Sequence, residues 1–172
     1  RLYKPKDFDP ETRYPVIVYL YGGPGAQRVT NSWGRHFSQY MAQQGYVVFT
    51  LDNRGSYNRG KAFEEPIYHA MGTVEVADQV EGVKFLRKYP WVDPERVGAH
   101  GSSYGGYMTI MTMFKEPEYF KAGVAGAPVT DWTLYDTHYT ERYLGDPAEP
   151  GEVYKKSSVF DYAEGLKGPL LI

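Results

Sequence analysis

Five residues, Gly101-Ser102-Ser103-Tyr104-Gly105, leave the chain few ways to fold. They form a G-x-S-x-G set between a run of strand character, Arg96-Val97-Gly98-Ala99-His100, and a segment of helical character from Tyr107 to Phe114. A strand that turns into a helix over so few residues holds its central residue in a strained backbone conformation. Glycines two positions to either side let neighbouring backbone pass close by. The hydroxyl of Ser103 is then lifted above the sheet edge at a helix N-terminus. A glycine-rich turn with an incidental serine is the other reading of the five residues, and the flanking strand and helix favour a nucleophile.

The rest of the chain repeats the same alternation. Pro15-Val16-Ile17-Val18-Tyr19-Leu20-Tyr21 is a continuous apolar run that suits a strand buried on both faces. Gly22-Gly23-Pro24-Gly25 breaks it, and an amphipathic segment from Phe37 to Gln44 follows, closed by Gly45 as a helix C-cap. Tyr46 to Leu51 reads as the next buried strand, and Asp52 to Thr73 as mostly loop. Val76, Val80, Val83, Phe85 and Leu86 keep helical spacing up to about Pro90. A small-residue strand is expected over Ala122 to Ala127. A long aromatic and charged excursion runs from Asp131 to Pro150, and a last strand opens at Pro169. Strands alternating with helices imply right-handed βαβ crossovers and a mostly parallel, doubly wound sheet with helices on both faces, an α/β fold of the α/β-hydrolase kind. The chain begins at Arg1 and ends inside the strand Leu170-Leu171-Ile172. The expectation is therefore one partial hydrolase domain over residues 1–172, with the sheet truncated before its last strands and an apolar edge left exposed.

Composition narrows the chemistry. Of 172 residues 42% are hydrophobic and 23% charged, enough for one core. A net charge of −2 offers no basic face for phosphates, so a nucleic-acid partner is not expected. There is no cysteine, hence no disulfide, thiolate metal site or cysteine nucleophile. The longest apolar run, Val16 to Tyr21, is far too short to span a bilayer. Neither H-E-x-x-H nor a G-x-G-x-x-G after a strand occurs, so no metal or other cofactor is expected.

A serine hydroxyl needs a base to take its proton, and its attack on a carbonyl creates an oxyanion that needs preorganised donors. The backbone N–H of Tyr104, the residue after the nucleophile, is one candidate donor. The loop after the Val16 to Leu20 strand, Tyr21-Gly22-Gly23-Pro24-Gly25, is placed to give another, although by itself it reads as a plain Gly/Pro turn.

Four motifs in order, Tyr21-Gly22-Gly23-Pro24, Asp52-Asn53-Arg54-Gly55, Gly101-Ser102-Ser103-Tyr104-Gly105-Gly106-Tyr107 and Tyr139-Thr140-Glu141-Arg142-Tyr143, resemble the catalytic domain of the prolyl oligopeptidase family of serine peptidases, in particular its dipeptidyl peptidase IV branch. The similarity runs over essentially the whole chain. It implies a peptidase that cuts small peptides after proline through an acyl-enzyme on Ser103, with the Tyr104 N–H and the Tyr21 hydroxyl as oxyanion donors. It also implies that Val129, Trp132, Tyr135 and Tyr139, with the Tyr104 ring, form the pocket for the substrate's proline. A flat pyrrolidine ring is well held by aromatic faces. Read without the resemblance, these aromatics are core or interface packing. Glu141 and Arg142 read as a structural ion pair or as solvated charges. The resemblance further implies a peptide substrate, a β-propeller outside this chain, a homodimer of the full protein, and a bacterial envelope location rather than the cytoplasm.

One residue departs from that branch, which carries Trp before the nucleophile where this chain has Ser102. The triad order of the fold is nucleophile, acid, histidine. His36, His69 and His100 precede Ser103, and His138 lies within the pocket segment as a rim residue. In the family that this chain resembles, the acid follows the strand that here begins at Pro169 and the histidine lies further on. The resemblance thus implies that both fall beyond Ile172, with Asp131, Asp136, Asp146 and Asp161 outside the triad, and the isolated chain is expected not to turn over peptides. An esterase or lipase-like hydrolase on the same fold, and a noncatalytic binding module, are the competing readings.

Overall fold

The computed structural model describes residues 1–34, 36–149 and 151–172. Six strands form one sheet in the order β1-β3-β2-β4-β5-β6, where β1 is Leu2–Tyr3, β2 Tyr14–Leu20, β3 Val47–Phe49, β4 Val92–Ser102, β5 Ala122–Gly126 and β6 Leu170–Leu171. Every pairing is parallel except that of β1 with β3. The helices are α1 His36–Gln43, α2 Lys61–Glu64, α3 Val74–Leu86, α4 Tyr104–Lys115, α5 Thr137–Leu144 and α6 Val153–Ser157. This is the expected α/β-hydrolase layering.

Strand alternation explains which helix lies where, since successive side chains point to opposite faces of the sheet. Val16, Val18 and Leu20 of β2 are buried in one core with Val76, Val80 and Val83 of α3 and Met108, Ile110 and Met111 of α4. On the other face Tyr19 meets Phe37 of α1 at 5.9 Å between ring centroids, and Phe37 meets His100 of β4 at 4.7 Å. Helices thus cover both faces, but unequally. β2 was expected to be buried on both sides. Instead it alternates buried and half-buried residues, because α1 shields only part of the second face and leaves Val124 of β5 43% exposed.

Several local expectations are refined. α4 begins at Tyr104, directly after the elbow, rather than at Tyr107. Phe85 does not share the buried stripe of α3; it is 48% exposed and packs edge-on against Tyr89. The 52–73 segment contains α2 and a 3-10 turn at Glu65–Ile67 within its loops. The excursion from Asp131 is organised by α5, while Pro150, its expected end, lies outside the described residues. Gly45, at φ 89°, ends α1 as expected, its N–H donating to the Ala42 carbonyl. β6 is the outermost strand, with Leu171 66% exposed.

Candidate active site

β4 runs out at Ser102 and α4 starts at Tyr104, so Ser103 alone makes the turn. Its φ is +59° and its ψ −124°, a conformation that residues with a Cβ rarely adopt. Two bonds hold it there: the Ser103 N–H donates to the Gly126 carbonyl at 2.9 Å, and the Ser103 carbonyl accepts from the Tyr107 N–H at 3.0 Å. The side chain is exposed. Backbone crowds both motif glycines. A Cβ on Gly101 would stand 2.4 Å from the Gly105 carbonyl oxygen and 2.7 Å from that of Leu20 at the end of β2, and a Cβ on Gly105 2.4 Å from the same Leu20 oxygen.

As the first residue of α4, Tyr104 has a backbone N–H with no carbonyl one turn back in its own helix. Its side chain turns inward and is 2% exposed. The ring lies 6.1 Å from that of Tyr21, which follows β2, so the two expected oxyanion donors come from adjacent elbows of neighbouring parallel strands. The Arg28 guanidinium carbon stacks 4.1 Å from the centre of the Tyr21 ring.

The Asp52-Asn53-Arg54-Gly55 motif staples the loop that follows β2. The Asp52 carboxylate accepts from the Arg28 and Val29 N–H groups at 2.7 and 2.9 Å, and the Asn53 side-chain amide donates to the Gly22 carbonyl at 2.9 Å. Arg54 is in turn fixed by a bidentate pair with Asp78 of α3. Composition and spacing showed this stretch only as polar loop, because its partners are about 24 to 31 residues away in sequence.

The aromatic residues expected to form the proline pocket assemble into one cluster. Trp132 stacks on Tyr139 at 6.0 Å and meets Tyr135 edge-on at 5.8 Å, with Tyr135 and Tyr139 5.4 Å apart. The Tyr104 ring joins them at 5.5 Å from Trp132, and partly buried Val129 packs on the same core. Trp132 is 1% exposed, whereas Tyr135 is 43% exposed at the surface of the cluster. Burial pushes the Tyr139 phenol far above the ordinary tyrosine range, so it stays protonated. A cavity of about 530 Å³ opens beside the oxyanion loop, between Pro24, Gly25 and Tyr143.

Two aspartates shape the cluster by capping helices: Asp131 accepts from the Thr133 N–H at 2.9 Å and Asp136 from the Tyr139 N–H at 2.8 Å. Replacing Asp136 with alanine is expected to cost about 1 kcal/mol of stability. Urea midpoints of the two proteins check this.

The histidines stand apart from the serine. Arg142 Nη2 lies 2.8 Å from His138 Nε2, and since a guanidinium only donates, the ring lone pair there is taken. His100 Nδ1 sits 3.1 Å from the Val124 carbonyl, and His69 stacks on Tyr68. No hydrogen bond joins any of them to Ser103 among the described residues. Glu141 and Arg142 form no ion pair among the described residues: Arg142 turns to His138 and Glu141 is solvated, so the ion-pair reading of these two gives way to the other. No described helix is long and apolar enough to cross a membrane.

The sequence model of the Prolyl oligopeptidase family matches residues 33–172. Human dipeptidyl peptidase 8 is 45% identical over 167 residues, covering 95% of this chain and 19% of its own length. A dipeptidyl aminopeptidase of Schizosaccharomyces pombe, named from its sequence, is 42% identical over 92% of this chain and 20% of its own. The crystal structure of Porphyromonas gingivalis dipeptidyl peptidase 4 superposes with a TM-score of 0.94 at 41% identity, over 98% of this chain and 24% of that one. A candidate dipeptidyl aminopeptidase IV from Bacteroides ovatus gives 0.95 at 51%, again over 98% and 24%. The chain thus spans about a fifth to a quarter of the length of these relatives.

Proposed function

Because the chain belongs to the prolyl oligopeptidase family, we propose that residues 1–172 are the nucleophile-bearing part of a serine dipeptidyl-peptidase-like enzyme that cuts peptide bonds after proline. The observation that carries this reading is the backbone of Ser103, held at φ +59° at the tip of a strand-to-helix elbow with two expected oxyanion donors beside it.

In the proposed mechanism Ser103 Oγ attacks the carbonyl carbon of the bond following proline, and its proton passes to a base. The carbonyl oxygen, now negative, accepts from the Tyr104 N–H and the Tyr21 hydroxyl; removing one such donor typically costs about 10²–10³ in kcat. The C–N bond breaks as the base returns the proton to the leaving nitrogen, which leaves an ester on Ser103. Attack by water, deprotonated by the same base, releases the dipeptide. The pyrrolidine ring lies against Tyr135 and Tyr139 over the floor of Trp132, with Val129 alongside.

The base and its acid partner are supplied from outside residues 1–172. What supports this is the engagement of His138 by Arg142 and the share of its relatives' length that the chain covers. The full-length gene product should hydrolyse Gly-Pro-p-nitroanilide in preference to simple esters, and a fluorophosphonate probe should label Ser103. Preference for esters would favour the lipase-like reading, and an unlabelled Ser103 a binding module. The isolated 172-residue chain should show no turnover of the same amide; turnover lost in Ser103→Ala would place the base within the chain, at His138.

A further inference from the structure

Glu75, the second residue of α3, is 0% exposed, and the serine-peptidase chemistry makes no use of it. Burying a carboxylate is costly unless each oxygen finds donors. Here Oε1 accepts from the Gly72 N–H at 3.0 Å and from the Tyr104 hydroxyl at 2.7 Å, while Oε2 accepts from the Thr73 N–H at 3.0 Å. Partly buried Lys115, on α4, donates to the Gly72 carbonyl at 2.9 Å and so places a cation by the same turn. Two backbone donors fix the carboxylate, and the carboxylate fixes the tip of the Tyr104 ring.

That ring lies between the expected oxyanion donor Tyr21 and the pocket residue Trp132. Its backbone is the residue after Ser103, and its face is packed so closely under the oxyanion loop that a Cβ on Gly23 would stand 2.7 Å from Tyr104 Cγ. Its edges meet Tyr21 at 6.1 Å and Trp132 at 5.5 Å. A tyrosine side chain has two rotatable torsions, and a ring anchored at both ends has neither free. We propose that Glu75 is a positioning residue: through its hydrogen bond to the Tyr104 hydroxyl it locks the ring that sets both oxyanion donors and the floor of the pocket. The bond is required as an acceptor for the hydroxyl, and a charge on Glu75 is dispensable.

This inference rests on Ser103 being the nucleophile, and it is tested separately from the peptidase reading by following the phosphonylation rate of Ser103 with a fluorophosphonate, whose addition also builds negative charge on oxygen. In the full-length gene product, Tyr104→Phe and Glu75→Ala are expected to slow phosphonylation and kcat by about 10- to 100-fold, less than the roughly 10²–10³ of a deleted oxyanion donor because the donors are displaced and not removed, with KM for Gly-Pro-p-nitroanilide changed less than 3-fold. Glu75→Gln, which keeps a carbonyl acceptor for the tyrosine, should stay within about 3-fold of the parent in both. Glu75→Gln falling with Glu75→Ala would overturn the role of the acceptor, and Tyr104→Phe at parental rate would overturn the positioning role itself. So would a loss confined to KM or to thermal stability. If Glu75→Ala does not fold, Tyr104→Phe, which deletes one exchangeable oxygen from an otherwise unchanged ring, decides alone. A parent labelled by the probe yet inert toward the proline amide would refute the peptidase reading and leave the positioning role to be judged on labelling rates. A parent that is not labelled would refute both.

Discussion

Replacing Ser103 with alanine in the full-length gene product is expected to lower kcat for Gly-Pro-p-nitroanilide by about 10⁶-fold, the scale seen when a serine peptidase loses its nucleophile. KM should change little, since the proline pocket and both oxyanion donors remain. Ser103→Gly should be equally inactive and yet more stable than the parent. At φ +59° and ψ −124° a residue with a Cβ is strained by about 1–3 kcal/mol, whereas glycine adopts that conformation without a clash. Against this stands the extra chain entropy that glycine carries in the unfolded state, about 0.4–1 kcal/mol. A net gain of about 1 kcal/mol in urea unfolding is therefore expected for Ser103→Gly over Ser103→Ala. Equal stability of the two variants would show that the elbow holds no strain at Ser103, and residual hydrolysis above about 10⁻³ of the parent would remove Ser103 from the nucleophile's place.

The second large effect concerns stability. Gly105→Ala puts a Cβ 2.4 Å from the Leu20 carbonyl oxygen and 3.1 Å from Tyr21 Cα. Leu20 is held on one side by its register against Gly101 of β4, so relieving the contact means moving backbone. Forced overpacking of this kind costs about 1–3 kcal/mol even where side chains absorb it, and here backbone must move, so a loss of about 3 kcal/mol or more is expected. The displaced end of β2 carries Tyr21, so kcat should fall as well. Gly151→Ala is the matched control: a Cβ there meets nothing within 4 Å, and the change should stay within about 0.5 kcal/mol. Denaturation midpoints of the three proteins compare them. A Gly105→Ala variant as stable as the control would mean that the glycine spacing of the motif does not arise from contact with β2.

These two predictions mark where sequence was legible. The alternation of apolar runs with helical periodicity reports the layering, because each buried strand and each helix stripe must be written in adjacent residues. The elbow was equally plain: it needs a serine, two glycines and flanking elements within a few positions, so every requirement is local. Even so, periodicity misplaced Phe85, whose spacing fits the buried stripe of α3 while its side chain is 48% exposed. Hydrophobicity also overstated the burial of β2, since a strand's sequence does not say how completely a helix elsewhere will cover it. β1, two residues long, carries no period to read.

At the site the division is sharper. Ser103 and Tyr104 could be named from a local motif, and Tyr21 and the proline-pocket aromatics from resemblance, but their mutual placement could not. For two charged residues at the site the sequence gave no sign of their partners. Asp52 stood out only as part of the Asp52-Asn53-Arg54-Gly55 motif and by spacing read as loop polarity, although its carboxylate accepts from the Arg28 and Val29 N–H groups, 24 and 23 residues away. Glu75 was not singled out by any motif or spacing, although it reaches Tyr104 across 29 residues of chain.

Sequence by itself therefore determined the α/β order, the strained turn and the identity of its serine, since each is enforced by neighbours along the chain. Only the tertiary structure decided what stands around that serine. The carboxylates of Asp52 and Glu75 find their partners through the parallel sheet, which brings the ends of β2, β3 and β4 together, and a hydrogen bond formed that way depends on distance in space and leaves no period in the sequence.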